Sequence, residues 1–90
     1  MILIADSGST KTDWRLIDSD NKIQQLTTVG INPYYQNDKK IAAVINEELN
    51  FDVQVQEVHF YGAGCSSEEN RARITSIFKS KFSVAKIFVE

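Results

Sequence analysis

A chain of 90 residues fits one small domain, one that buries only roughly 60–65% of its unfolded surface. With 42% hydrophobic and 24% charged residues and a single proline, it reads as globular rather than disordered. A net charge of −2 argues against a nucleic-acid backbone as the main partner, the apolar run Met1–Ala5 is too short for a membrane span or signal core, and the lone Cys65 suits a reducing compartment, so a cytoplasmic chain meeting neither nucleic acid nor membrane is expected.

Ile2 to Asp6 is apolar on consecutive positions, the pattern of a short buried strand. A polar turn follows, and Asp13 to Asp18 resumes as a second strand with Trp14 and Leu16 on one side. Turn formers at 18–21 lead to a third strand over Lys22 to Val29. After a loop at 30–38 with the only proline, Asn37 or Asp38 is placed to cap a helix whose buried face is Ile41, Val44, Ile45 and Leu49. Glu57 to Tyr61 is the fourth strand. Ser66 and Glu69 have the spacing of a capping box for a second helix burying Ile74, Ile77, Phe78 and Phe82, with Glu68 and Glu69 at its start and Lys79 and Lys81 at its end. Ala85 to Val89 is the fifth strand.

The order β-β-β-α-β-α-β implies an α/β fold with a mixed five-stranded sheet: three antiparallel strands, then two added in parallel by right-handed crossovers. A parallel strand wants cover on both faces. None follows strand five, so the chain is expected to be an incomplete lobe of something longer, or a domain needing a partner, with a homodimer as one solution.

The chemistry concentrates in "ADSGSTKTDWRLID". A Walker A loop would need glycine at positions 5 and 10 and a helix afterwards; Ala5 and Thr10 stand there, and a strand follows. A phosphate-binding hairpin fits better. Gly8 permits unusual backbone angles and close approach of a ligand, and successive backbone N–H groups can cradle an anion. Ser7, Ser9, Thr10 and Thr12 add hydroxyls, Lys11 adds charge, and Asp6 can hold a hydrated Mg²⁺. On composition alone an ordinary polar turn accounts for the same residues equally well.

The D-x-G-[ST]-[ST] turn between strands one and two, followed by βαβαβ, resembles the first lobe of the actin/Hsp70/sugar-kinase ATPases, a ribonuclease-H-like fold. More narrowly, "ADSGSTKTDWRLID", "TVGINPYYQ" and "FYGAGCSSEENRARI" are similar to segments of N-acetylglucosamine kinases and BadF/BadG-type ATPases. The resemblance spans essentially the whole chain. It implies ATP and Mg²⁺ as cofactors, with Asp6 organising the metal through water and Gly8, Ser9, Thr10, Lys11 and, more weakly, Thr12 lining the phosphates. It also implies an amino-sugar substrate held near Asn32, with Gly62 and Gly64 shaping the cleft behind it. The catalytic aspartate of such kinases comes just after strand five, beyond Glu90, and the adenine-binding C-terminal lobe is absent. Phosphoryl transfer depends on joint positioning of nucleophile, phosphate and metal, so this chain alone is expected to be inactive.

Other readings are weaker. "GAGCSS" has Ser67 where a dinucleotide fingerprint needs glycine. A ribonuclease-H-like nuclease needs further carboxylates converging on Asp6, and strand four ends without one. A regulatory ATPase of the BadF type would share an iron–sulfur cluster between subunits, which one cysteine does not support. A non-catalytic, self-associating fragment is the remaining alternative. Cys65 is expected to be a small buried residue, despite a position that could lower its thiol pKa. His59 is expected to pack within strand four, Tyr34 and Tyr35 to pin their loop to the helix, and Arg71 and Arg73 to belong to a solvated basic face with Lys79 and Lys81.

Overall fold

A computed structural model describes residues 1–50 and 54–90. Seven elements follow in order: β1 (Ile2–Ser7), β2 (Lys11–Ile17), β3 (Ile23–Val29), α1 (Asp38–Glu48), β4 (Glu57–Gly62), α2 (Glu68–Lys81) and β5 (Lys86–Val89). The sheet order is β3-β2-β1-β4-β5. β1–β2 and β2–β3 are antiparallel, while β1–β4 and β4–β5 are parallel, the expected mixed α/β sheet.

β3 runs parallel to β4, so both helical connections are crossovers between parallel strands moving the same way across the sheet. Right-handedness then places both helices on one face. Leu3 and Ala5 of β1, Trp14 and Leu16 of β2, and Val58 and Phe60 of β4 point to that face and join Ile41, Val44, Ile45, Ile74 and Phe78 in one core. Trp14 sits at its middle. Its ring meets Phe78 edge-on at 6.0 Å and lies 6.3 Å from Phe60, and its indole N–H donates to Thr28 Oγ1 at 2.8 Å. A buried indole needs such a partner. Ile77 and Phe82 pack against this core from its margin.

The opposite face of the sheet carries no described element. Ile23, Val29, Tyr61 and Phe88 are each about half exposed there, and His59 stacks on Phe88 at 4.8 Å while its Nε2 lies 3.2 Å from Glu57 Oε1. No helix among the described residues is long and apolar enough to cross a membrane.

Of the two candidate caps for α1, Asn37 is the one used, its side chain accepting the Lys40 N–H at 2.9 Å; one local expectation changes. The cap of α2 is Ser67, not Ser66. Its hydroxyl accepts the Asn70 N–H at 3.1 Å, so the third helical position holds Asn70 and the Ser66/Glu69 box does not form. Ser67→Ala should therefore lower stability by about 1 kcal/mol, whereas Ser66→Ala should be close to neutral, as read from urea midpoints of the two variants.

Candidate functional site

β1 and β2 reach further into the polar turn than the sequence suggests, leaving only Gly8, Ser9 and Thr10 between them. The hairpin closes through the Gly8 N–H donating to Lys11 O at 2.9 Å. This sorts the turn residues by face. Asp6, Gly8, Ser9, Thr10, Lys11 and Asp13 line one concave patch. Ser7 and Thr12, paired across the hairpin, point the other way and are buried.

Thr12 is therefore corrected from a phosphate contact to a support. It is fully buried, its Oγ1 lies 2.8 Å from Ser7 Oγ, and it donates to Val29 O at 3.0 Å. Ser7 is the hub of this support. Its Oγ accepts the Ile31 N–H at 2.9 Å and lies 2.8 Å from Ile31 O. Two buried hydroxyls thus lock the hairpin to the chain leaving β3, and every buried side-chain polar atom among the described residues has a partner.

At Gly8 only the expected unusual backbone angle is corrected, since the residue does line the concave patch. Its backbone does not take a positive φ, and a Cβ added there would meet only Lys11 O, at an ordinary 3.7 Å. Nothing inside the fold demands glycine at this position. The residue that the fold does demand, and that sequence reasoning missed, is Gly30. A Cβ on Gly30 would lie 2.5 Å from Gly8 O and 2.6 Å from Ser9 O, and the Gly30 N–H donates to Thr10 O at 3.0 Å. The end of β3 packs flush against the hairpin backbone. A glycine closing a strand beside a polar turn was the only signal for it.

On the outer face Asp6 and Asp13 stand directly opposite each other across β1–β2. Asp13 accepts from Thr27 Oγ1 at 3.1 Å, and Lys11 Nζ lies 3.9 Å from its other oxygen. That ion pair is exposed, so it holds Lys11 weakly and costs little to break. Asp6 is exposed. Two facing carboxylates repel, and a cation between or beside them relieves that repulsion. They fit a hydrated Mg²⁺, which takes one or two protein carboxylates and keeps its waters and phosphate oxygens. No group of three or more metal-ligating side chains occurs among the described residues.

The second half of the site comes from two loops. β1 lies beside β4 with Ser7 opposite Gly62, and the Ala63 N–H donates to Ser7 O at 2.9 Å. This puts the Gly62–Gly64 turn next to the hairpin. Gly62 cannot carry a side chain, because a Cβ would collide with the Phe60 ring at 2.4 Å. Gly64 has φ +79°, and a Cβ there would sit 2.1 Å from Asn32 Oδ1. Asn32 and Gly64 are thus in direct contact. Asn32 is 6% exposed; its Oδ1 accepts the Tyr34 N–H at 2.9 Å and its own N–H donates to Gln36 Oε1 at 2.8 Å. Its Nδ2 makes no hydrogen bond within the described residues, and is the group left to meet an acceptor from outside. All these loops follow the C-terminal ends of β1, β3 and β4, the end at which open α/β sheets bind ligands.

Three further expectations are settled by geometry. Tyr34 and Tyr35 do not pin their loop; they are 74% and 79% exposed and touch each other edge-on at 5.2 Å. Arg71 and Arg73 are not simply solvated: Arg71 donates to Cys65 O and Ser66 O, both at 2.9 Å, and Arg73 to Pro33 O and Gln36 O. Lys79 donates to Ala85 O. Cys65 is buried, and burial pushes its thiol pKa up, against the smaller opposing effect of Arg71. It is a packed thiol, not an activated one.

The fold is that of the first subdomain of sugar kinases and actin-like ATPases. A solved structure from Porphyromonas gingivalis, described as a "putative N-acetylglucosamine kinase", superposes with a TM-score of 0.87 over 99% of this chain at 33% identity. The chain spans 33% of that protein's length. No protein-family model matches the chain, and no curated protein sequence matches it significantly.

Proposed function

We propose that this chain is the phosphate- and sugar-binding lobe of an ATP-dependent sugar kinase acting on N-acetylglucosamine or a similar amino sugar. The observation that carries the reading is the meeting, at one end of the sheet, of the Asp6–Lys11 hairpin with the Asn32–Gly64 contact. Phosphoryl transfer needs a phosphate cradle and a nucleophile site side by side. The likeness to the kinase structure supports the same assignment.

In this reading the Gly8–Lys11 backbone and hydroxyls receive the terminal phosphates of ATP, and Lys11 leaves its weak pairing with Asp13 to meet them. Asp6, with Asp13 opposite, holds Mg²⁺ through water; the metal supplies charge neutralisation on the phosphates when bound. Asn32 Nδ2 donates to the sugar, and Gly62 and Gly64 let the Phe60 ring and the Asn32 side chain pack close behind it. This reading assigns neither the proton acceptor for the sugar hydroxyl nor the adenine contacts to residues 1–90. Glu90 O accepts from the Gly62 N–H at 3.0 Å, so the end of the fifth strand lies beside the sugar-side turn.

The test is a coupled ADP-release assay on the full-length protein with Mg·ATP and N-acetylglucosamine. Sugar-dependent turnover is expected there and none from the 90-residue chain alone. Full-length protein with no turnover on any amino sugar, or a 90-residue chain that turns over at an ordinary rate, contradicts the proposal.

A further inference from the structure

α2 carries Asn70 and Arg73 three positions apart, on one face of its first two turns. Asn70 Nδ2 donates to Gly64 O at 2.9 Å. Asn70 Oδ1 accepts from an Arg73 Nη at 3.0 Å. The guanidinium then fans out over the loop leading into α1: to Pro33 O at 2.7 Å, to Gln36 O at 2.8 Å and, through Nε, to Asp38 Oδ1 at 2.7 Å. Gln36 completes the loop by donating through Nε2 to Gly30 O at 2.9 Å and accepting the Asn32 N–H. Five bonds from two side chains therefore join the Gly64 turn to the Asn32 loop, segments more than thirty residues apart in sequence.

We infer that Asn70 and Arg73 form a brace that sets the position of Asn32 against Gly64, and through it the affinity for the sugar. Their side chains spend these bonds on groups within the protein, so we place them as positioning residues. Only a planar guanidinium reaches several acceptors in fixed directions, so lysine is no substitute. The inference rests on the sugar-kinase reading for its functional half and on the hydrogen-bond network for its structural half.

The experiment compares wild type, Arg73→Lys, Arg73→Met and Asn70→Ala in the full-length protein. Hydrogen–deuterium exchange is followed in peptides covering residues 30–37 and 62–66. Steady-state kinetics are measured with N-acetylglucosamine and with Mg·ATP. Exchange in both segments should rise about tenfold or more in the Arg73 variants, the size expected when charge-assisted hydrogen bonds are lost. Asn70→Ala should loosen mainly 62–66, and it keeps the test alive should the Arg73 variants fold poorly. The sugar KM should rise by about tenfold while the ATP KM stays within twofold, and Lys should do no better than Met. Unchanged exchange in both segments, sugar and ATP KM values that move together, or full rescue by Lys overturns the brace. Wild-type protein without sugar-dependent turnover overturns the kinase reading alone, and the exchange data then decide the brace.

Discussion

Gly30→Ala should destabilise the fold by about 2–3 kcal/mol, while Gly8→Ala, one hairpin residue away in space, should leave stability unchanged. The contrast follows from what a methyl group would meet. At Gly30 it would press on Gly8 O, Ser9 O and Ser9 C at 2.5–2.7 Å, and all three are backbone atoms. A backbone carbonyl cannot swing aside as a side chain can, so β3 and the hairpin must separate. That separation also strains the Gly30–Thr10 bond and the Ser7–Ile31 pair. At Gly8 the new methyl meets one oxygen at 3.7 Å, an ordinary contact. In a domain of this size each kcal/mol is worth roughly 4–8 °C, so thermal unfolding separates the two variants easily. Gly8→Ala becomes the informative variant for binding. It should fold like wild type and lose Mg·ATP affinity, because the only reason left for glycine there is what approaches from outside. Equal melting temperatures for Gly30→Ala and wild type would mean that the β3–hairpin contact is not close.

How far the sequence discloses this arrangement depends on the range over which each signal acts. The elements and sheet pairing are legible because the continuous apolar run of β1, the alternation in β2 and the i, i+3, i+4, i+8 spacing of Ile41, Val44, Ile45 and Leu49 are local patterns. The site end is legible too: Asp6 and Gly8 stand together in the chain, and the resemblance points to Asn32 and Gly64. What the sequence hides is which way side chains face once a turn shrinks. Extending β1 to Ser7 and starting β2 at Lys11 turns Ser7 and Thr12 inward, since successive strand residues alternate faces. Six polar residues that look alike in sequence thereby divide into a lining and a support. Gly30 and the Asn70–Arg73 brace are hidden for another reason. Their roles lie in contacts to Gly8 and Ser9, and to Pro33 and Gln36, that only the folded sheet brings near. The shift of the α2 cap from Ser66 to Ser67 is a smaller case, in which two adjacent serines offer the same hydroxyl and tertiary contacts choose.

Asp6→Ala should cost at least about 10–100-fold in Mg·ATP-dependent turnover of the full-length protein, the range seen when a residue holding a metal through an outer shell is removed. Its effect on stability should have the opposite sign. Asp6 is exposed and directly faces Asp13 across the β1–β2 ladder. Like charges so placed disfavour the fold by a few tenths of a kcal/mol, so removing one should raise the melting temperature slightly. A side chain that weakens the fold and has no internal partner among the described residues owes its presence to something outside it, and sites of function are where such conflicts collect. Asp13→Ala is the matching control. It removes the same repulsion but also the bonds to Thr27 and Lys11, so its stability gain should vanish. The separation is read from three melting curves and three Mg²⁺ titrations of turnover. An Asp6→Ala protein with near-normal turnover at low Mg²⁺ would remove the metal from this turn. An Asp6→Ala protein that melts lower than wild type would instead make Asp6 a structural residue.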